Sequence, residues 1–278
     1  MYNSLDELFG SGSFYPVAAP HLYRTEAIVL RRADFGEADK ILTLYTPHLG
    51  KLRVIAKGVR RPTSRLGGHV ELFTHSAMLV AKGRNLDIVT QSETIHSFIG
   101  LREDLVRTAF SCHVAELTER LVEEGIESYP LFELLLRTFE RISSGDDPEI
   151  ATHFFEVQLL GHLGYRPELR HCCHCQVVVG PTGNFFSPVA GGVLCTDCGR
   201  ADAMGKGLTT NAFKMLRLMQ SGTYATAARV RLDESLRREI DSLLKGYVEY
   251  VLERKLKSAA LLEALRRTAS KANEGNKP

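Results

Sequence analysis

Cys172-Cys-His-Cys175, followed after an interval rich in glycine and apolar residues by Cys195-Thr-Asp-Cys198, is the stretch of this chain best equipped for chemistry. Cys172 and Cys175 form one C-x-x-C pair and Cys195 and Cys198 a second. Each pair offers two thiolates from one tight turn to a tetrahedral ion such as zinc. The competing readings are two disulfides or four unrelated thiols. Four sulfur ligands leave no open coordination position, so the pattern predicts a single structural zinc and not a catalytic centre. Cys173 and His174 lie between proposed ligands and rank below the regular pairs as substitutes.

A second kind of chemistry is written between Lys51 and Arg65, the densest positive stretch of the chain. Side chains alternate faces along a strand, so Lys51, Arg53 and Ile55 share one side while Leu52, Val54 and Ala56 share the other. The segment then enters a loop carrying Lys57, Arg60, Arg61 and Arg65. Arg31, Arg32 and Lys40 before it, and Lys82 and Arg84 after it, extend the set. Such an array neutralises successive phosphates and releases counterions, giving affinity that weakens with salt and is largely blind to sequence. Phe35, Tyr45 and Phe73 are candidate stacking platforms for bases, with core packing the stronger expectation for each and least strongly so for Phe35 in its loop. Asp34, Glu37 and Asp39 read as partners in surface ion pairs and not as a magnesium site.

Little supports an enzyme. The chain has neither a G-x-x-x-x-G-K-[ST] nor a G-x-G-x-x-G stretch, hence no cradle for ATP or a dinucleotide. Ser111, Cys112 and His113 are adjacent on a helix, where side chains one and two apart do not face each other, and they are read as noise.

These groups need elements to hold them. The 278 residues allow about two domains, and 44% hydrophobic with 24% charged residues is the composition of a soluble globular protein. Met1–Pro20 has neither the basic start nor the apolar run of a secretory signal, which leads to the expectation of a cytoplasmic protein whose thiols stay reduced. Residues 1–20 read as a flexible extension. Five β-like runs follow, Tyr23–Arg31, Lys40–Tyr45, Lys51–Ala56, Val70–Val80 and Leu86–His96, with Gly and Pro between them. Residues 21–100 are therefore expected to form a five-stranded OB-fold barrel, with a small SH3-like barrel or sandwich as the alternative. After Gly100 the apolar period becomes helical. Leu101, Leu105, Ala109, Cys112 and Leu117–Leu121 mark one face, and Leu131, Leu134, Leu135, Thr138–Phe139 and Ile142 a second. Asp147 followed by Pro148 starts a third helix that stops at Gly164, Thr209 or Thr210 caps a fourth, and Leu236 to Val251 mark a long one. The fold class is thus α+β: the barrel, a helical domain over 101–270 interrupted by the cysteine insertion at 166–205, and a frayed tail over 271–278.

Net charge divides along the chain: −2 over residues 1–20, +5 over 21–100, −7 over 101–200 and +6 over 201–278. Basic ends around an acidic middle suggest that one surface meets a polyanion.

Three stretches together resemble one family. They are Asp34-Phe-Gly-Glu-Ala-Asp-Lys-Ile-Leu-Thr-Leu-Tyr-Thr46 running into Gly50-Lys-Leu52 and Ala56-Lys-Gly-Val-Arg-Arg61, Leu163-Gly-Tyr-Arg-Pro-Glu-Leu169 leading to the first cysteine pair, and Phe186-Ser-Pro188 with Gly191-Gly-Val-Leu-Cys195. The resemblance is to the bacterial RecO recombination mediators. It implies an OB-fold, a helical domain, and zinc in members that keep all four cysteines. It also implies binding of single- and double-stranded DNA, annealing of complementary strands, and a complex with RecR that helps RecA displace single-strand-binding protein. The acidic tail of single-strand-binding protein would need a basic, partly apolar groove, for which Arg217, Arg229, Arg231, Arg237 and Arg238 are candidates. The region after Leu208 resembles the family only in being helical, and the N-terminal extension departs from it. Two other readings stand beside the DNA-binding mediator: an adaptor that mainly recruits protein partners and binds DNA weakly, and a thiol-dependent enzyme, which would require an open metal site.

Overall fold

The computed structural model describes residues 22–274, with side chains described as far as Arg266. The extension read at 1–20 and the last four residues lie outside that range.

Five strands, β1 (Leu22–Phe35), β2 (Asp39–Thr46), β3 (Gly50–Ala56), β4 (His75–Ala81) and β5 (Asp87–His96), come first. β1 pairs antiparallel with both β2 and β4, β2 with β3, and β4 with β5, while β3 meets β5 in parallel at Val54–Asp87 and Ile55–Ile88. Every strand has two neighbours, and the sheet closes on itself. Alternation fills the interior: Ala27, Val29, Leu42, Leu44, Val54, Ala56, Met78, Val80 and Val89 form one buried cluster, sealed by Val59 and Val70. The run read as a strand from Val70 begins later. Gly67–Val70 is a turn of 3-10 helix that inserts Val70 into the barrel. Phe73 follows with a positive φ of 67° before pairing resumes at His75.

The strand β1 is buried on both faces from Ala27 to Leu30. Ala27 and Val29 point into the barrel, whereas Ile28 and Leu30 belong to the core of the helical half. The barrel is therefore packed directly against helices: Tyr45 stacks on Phe132 at 6.5 Å, and Phe73 meets Phe139 at 5.3 Å. Gly50 (φ 61°) marks the closest approach, because a β-carbon there would stand 2.1 Å from the carbonyl oxygen of Ile126.

Helices α1 (Gly100–Glu103), α2 (Leu105–Leu121), α3 (Tyr129–Ser144) and α4 (Pro148–His162) follow. Side-chain caps explain most of their starts: Asp104 accepts from the amide of Arg107, Ser128 from Leu131, and Asp147 from Glu149 and Ile150. The Asp104 cap breaks the first predicted face in two, so Leu105 is 63% exposed and not in the core. The cysteine segment then contributes β6 (Asn184–Ser187), β7 (Gly192–Leu194), α5 (Thr196–Ala201) and β8 (Lys206–Leu208), in a sheet ordered β7-β6-β8. The chain closes with α6 (Thr210–Ser221), α7 (Tyr224–Ala228), α8 (Glu234–Leu252) and α9 (Lys257–Glu274). Thr209 caps α6 and Asp233 caps α8. The last helix, absent from the sequence reading, runs to Glu274 where a frayed tail was expected. Among the described residues, no helix is long and apolar enough to cross a membrane.

A buried polar network ties these helices together. His113, read as noise from sequence, is buried on α2 and its Nε2 lies 2.8 Å from Glu156 Oε1 on α4. The other oxygen of Glu156 meets His153 Nδ1 at 2.8 Å, while His113 Nδ1 contacts Ser258 Oγ on α9 at 3.0 Å. His153 Nε2 has no hydrogen-bond partner and faces Glu149 Oε1 at 3.8 Å. Glu149 in turn pairs with Arg237 on α8 at 2.8 Å and with Arg266 on α9, and Arg266 also pairs with Asp241. Burial alone would lower the imidazole of His153, yet the neighbouring carboxylates of Glu149 and Glu156 outweigh it and hold the ring up at about 9. Burial alone would raise Glu156, but its two histidines outweigh that and hold the carboxyl at about 2. Glu149 is likewise held at about 2, with burial opposed first by His153 and then by Arg237 and Arg266.

Stability should consequently vary with pH in a defined way. The folded value of His153 is raised, so its contribution is complete below 6.5 and lost as pH rises through about 9. Those of Glu149 and Glu156 are depressed, so their contributions are complete above 4.5 and lost as pH falls through about 2. Denaturant unfolding followed across pH should show a plateau between these limits. Glu156→Gln, which strands buried imidazoles, should cost about 3 kcal/mol and shrink the alkaline decline. A variant as stable as the parent, with the same profile, would remove the network from this account.

Candidate metal centre and nucleic-acid interface

The cysteine site is assembled from two tight turns. After Leu169 the chain forms a short hairpin in which the amide of Cys172 donates to the Val177 carbonyl at 2.8 Å and that of Gln176 donates back to Cys172 at 2.9 Å, with Gln176 at a positive φ of 62°. This geometry brings Cys172 and Cys175 to the same side. The amide of Cys173 donates to Val193 on β7 at 2.9 Å, which hangs the hairpin on the small sheet. Cys195 directly follows β7 and serves as N-cap residue of α5, one turn before Cys198. The sulfurs of Cys172, Cys175, Cys195 and Cys198 all lie within 4.8 Å of one another. Cys175 and Cys195 are 3.7 Å apart, against the roughly 3.8 Å expected between sulfurs bound at about 2.3 Å around a tetrahedral ion. The four thiols are free of disulfides.

Electrostatics favour ligation. Burial would raise the Cys172 thiol, but the amides of Cys175, Cys195 and His174 point at it and bring it down to about 6. Cys198, hydrogen-bonded first to Cys195, is pushed up to about 12. One thiolate thus forms readily and the surrounding sulfurs share its charge, an arrangement that a cation would relieve. Cys173 stands apart from the cluster, and its thiol is raised to about 11 by burial. His174 is exposed and touches the cluster only at its edge, with Nδ1 3.6 Å from Cys198 Sγ. The group could hold a metal ion with no position left for substrate. It is also part of the core: Cys172, Val193, Leu194 and Leu208 share one cluster with the helices, and Phe186 stands edge-on to Tyr247 of α8 at 5.6 Å.

The barrel cations separate into two groups. Arg31 and Arg53 both neighbour Thr43 across the ladder and form one outward row. The helical half reaches this row: Glu119 on α2 pairs with Arg31 at 3.0 Å, and its carbonyl accepts from Lys51, which is half-buried beside Glu123 and Glu124. Desolvation therefore lowers the ammonium of Lys51, against the pull of those carboxylates. Arg32 is bound to Glu71 and Lys40 to Asp34. Lys82 pairs with Asp87 at 2.9 Å and lies over the Tyr23 ring. Apart from Arg53, each of these cations already has a carboxylate or carbonyl partner.

The second group lies in the loop after β3. Its backbone is fixed, since the amide of Gly58 donates to Asp39 Oδ1 at 2.7 Å and that of Arg60 to the Ala38 carbonyl at 2.9 Å. Asp39 is thus a positioning residue that its place in an acidic trio did not reveal. Arg60 turns back toward Gly36 and Asp34. Lys57, Arg61 and Arg65 are exposed and, among the described residues, have no ion-pair partner. The neighbouring β1–β2 turn presents Phe35, 48% exposed, while Tyr45 and Phe73 are buried in the core. Arg53 is exposed at the edge of the outward row, and Arg84 is exposed in the β4–β5 turn, at the end of β1 opposite Phe35. Of the C-terminal arginines, Arg237 is committed to Asp147 and Glu149, Arg238 pairs with Glu234, and Arg217 lies over Phe213, whereas Arg229 and Arg231 are exposed.

Comparison with known proteins agrees with this architecture. Residues 21–98 match the model of the recombination protein O N terminal domain, and residues 102–260 that of the C terminal domain. The chain is 44% identical over 258 residues to the DNA repair protein RecO of Roseiflexus sp. strain RS-1, covering 92% of this chain and 91% of that protein. It is 37% identical over 247 residues to the DNA repair protein RecO of Dehalococcoides mccartyi, covering 89% and 97% of the two chains. With the corresponding protein of Pelotomaculum thermopropionicum identity is 40% over 243 residues, 87% and 94% of the two chains. Two domain matches in sequence order and identities sustained over most of each partner place this chain in the RecO family of DNA repair proteins.

Proposed function

We propose that this chain is a DNA repair and recombination mediator that binds single- and double-stranded DNA and anneals complementary strands without catalysing a covalent step. With RecR it would help load RecA on DNA coated by single-strand-binding protein. The observation that carries the DNA-binding reading is the loop after β3: Lys57, Arg61 and Arg65 are exposed and, among the described residues, unpaired on a pinned backbone, beside the exposed ring of Phe35. Cations without carboxylate partners are free to neutralise phosphates, and an aromatic face at the same edge can stack on a base. Annealing follows from the same property, because two strands repel through their phosphates until that charge is screened. Arg53, Arg60 and Arg84 extend the proposed path, while Arg31, Arg32, Lys40, Lys51 and Lys82 contribute by shaping the surface.

The barrel is assigned to the OB-fold on the closed strand order β1-β2-β3-β5-β4, and its domain to residues 21–100, with the helical domain over 101–270. Zinc is the ion assigned to Cys172, Cys175, Cys195 and Cys198, because a reduced, compact four-sulfur group suits it. Its role is to supply folding energy to the helical domain.

Two experiments test these assignments. Replacing Lys57, Arg61 and Arg65 together by Ala should weaken binding to unrelated oligonucleotides alike and should flatten the salt dependence by about 0.7 logarithmic units per lost phosphate contact on single strands. Unchanged affinity and slope would remove the loop from the interface, and weak binding by the parent protein at physiological salt would favour the adaptor reading. For the metal, elemental analysis should find one zinc per chain, and Cys172→Ser should lose it together with thermal stability while oligonucleotide affinity of the folded fraction is retained. A folded variant that no longer binds DNA would contradict a purely structural zinc.

A further inference from the structure

Away from the barrel, the C-terminal end of α8, the turn after α4 and the β6–β7 turn of the cysteine element enclose a cleft of about 580 Å³. Its walls expose Tyr165, Val189 and Tyr250, which are 48%, 53% and 49% accessible, unusual values for large apolar groups gathered at one place. The floor is rigid. Tyr247 is buried there, its hydroxyl donates to the Tyr165 carbonyl at 3.0 Å, and its ring is held edge-on by Phe186.

The charge of the cleft has one sign. Glu249 and Glu253 line it, neither has a cationic partner among the described residues, and no Lys or Arg is in the lining. Glu253 also ends α8 in the left-handed region at φ 54°, a position that ordinarily takes Gly or Asn. A residue other than glycine there carries backbone strain, and its carboxylate lines the cleft. Tyrosine faces beside unpaired carboxylates attract a guanidinium or ammonium group by cation–π and ionic attraction together, while the apolar wall takes a hydrophobic neighbour. The same carboxylates repel a phosphate backbone.

We infer that this cleft is a docking site for a protein partner, which inserts a segment with an apolar side chain flanked by Arg or Lys between Tyr165, Val189 and Tyr250, its cations meeting Glu249 and Glu253. The site is separate from the loop after β3, so one chain can hold nucleic acid on the barrel and a basic segment of another protein on the helical side.

Fluorescence anisotropy on the full chain tests this with a labelled peptide carrying one Phe between arginines, and with counterparts in which Glu replaces Arg or Ser replaces Phe. The parent peptide should bind saturably and both counterparts should not. Tyr250→Ala should weaken binding about tenfold, a loss of roughly 1.4 kcal/mol, with oligonucleotide affinity unchanged. Glu253→Gly separates recognition from folding: relief of the backbone should raise the melting temperature while the peptide is bound less tightly. Absence of saturable binding, or equal binding by the parent and both variants, would overturn the proposal. Concentration-dependent dimerisation abolished by Tyr250→Ala would overturn it too, by assigning the cleft to a second copy.

Discussion

Glu156 is buried, only 4% accessible to water, and a buried carboxylate without partners would cost several kcal/mol. It is tolerated because α2 and α4 bring His113 and His153 to its two oxygens at 2.8 Å each. That requirement fixes how the two helices lie against each other. It also recruits the end of the chain, since Ser258 and Arg266 of α9 complete the network from the other side. Once α2 is placed, Glu119 on its last turn meets Arg31 and Lys51 of the barrel. The buried carboxylate and the charge pattern of the barrel surface are therefore linked: the helical half neutralises one end of the outward row and leaves the loop after β3 unneutralised.

Much of this fold is written locally. Asp147 before Pro148, Thr209 before an apolar face, and alternation in Leu42–Leu44 and Val54–Ala56 each act over a few residues, and each can be read from them. The cysteine pairs are legible for the same reason, because each C-x-x-C turn is self-contained. What escaped reading is what depends on distant partners. His113 and Glu156 are 43 residues apart, and Arg31 and Glu119 are 88 apart. A cation count cannot distinguish Arg32, bound to Glu71, from Arg61, bound to nothing among the described residues. The sequence therefore marks a basic region without separating its paired members from those that are free among the described residues. Strand alternation was overextended at Val70 for a related reason: the residue is apolar because it plugs the barrel from a 3-10 turn, not because it belongs to a ladder.

Two cores divide the labour. The barrel interior is a cluster of its own, whereas the outer face of β1, the helices and the cysteine element share the other. Loss of a metal ion would be felt first in the second core, through Cys172, Val193 and Leu194. The loop after β3 is held by Asp39 and Ala38, both within the barrel, and not by that core. On the proposed reading, folding energy from a metal and phosphate recognition would reside in separate parts of one chain, joined where Ile28, Leu30, Tyr45 and Phe73 pack on the helices.

On the proposed reading, the loop cations that are unpaired among the described residues, and not the barrel's paired ones, meet nucleic acid. Acetylation footprinting of lysines by mass spectrometry, with and without a single-stranded oligonucleotide, tests it most directly. Lys57 is exposed and unpaired, whereas Lys51 is half-buried against Glu119. Lys57 should react rapidly in the free protein and be protected by the oligonucleotide, while the slow reaction of Lys51 should not change. Protection confined to Lys206 and Lys214 on the helical side, with Lys57 equally reactive in both states, would contradict it.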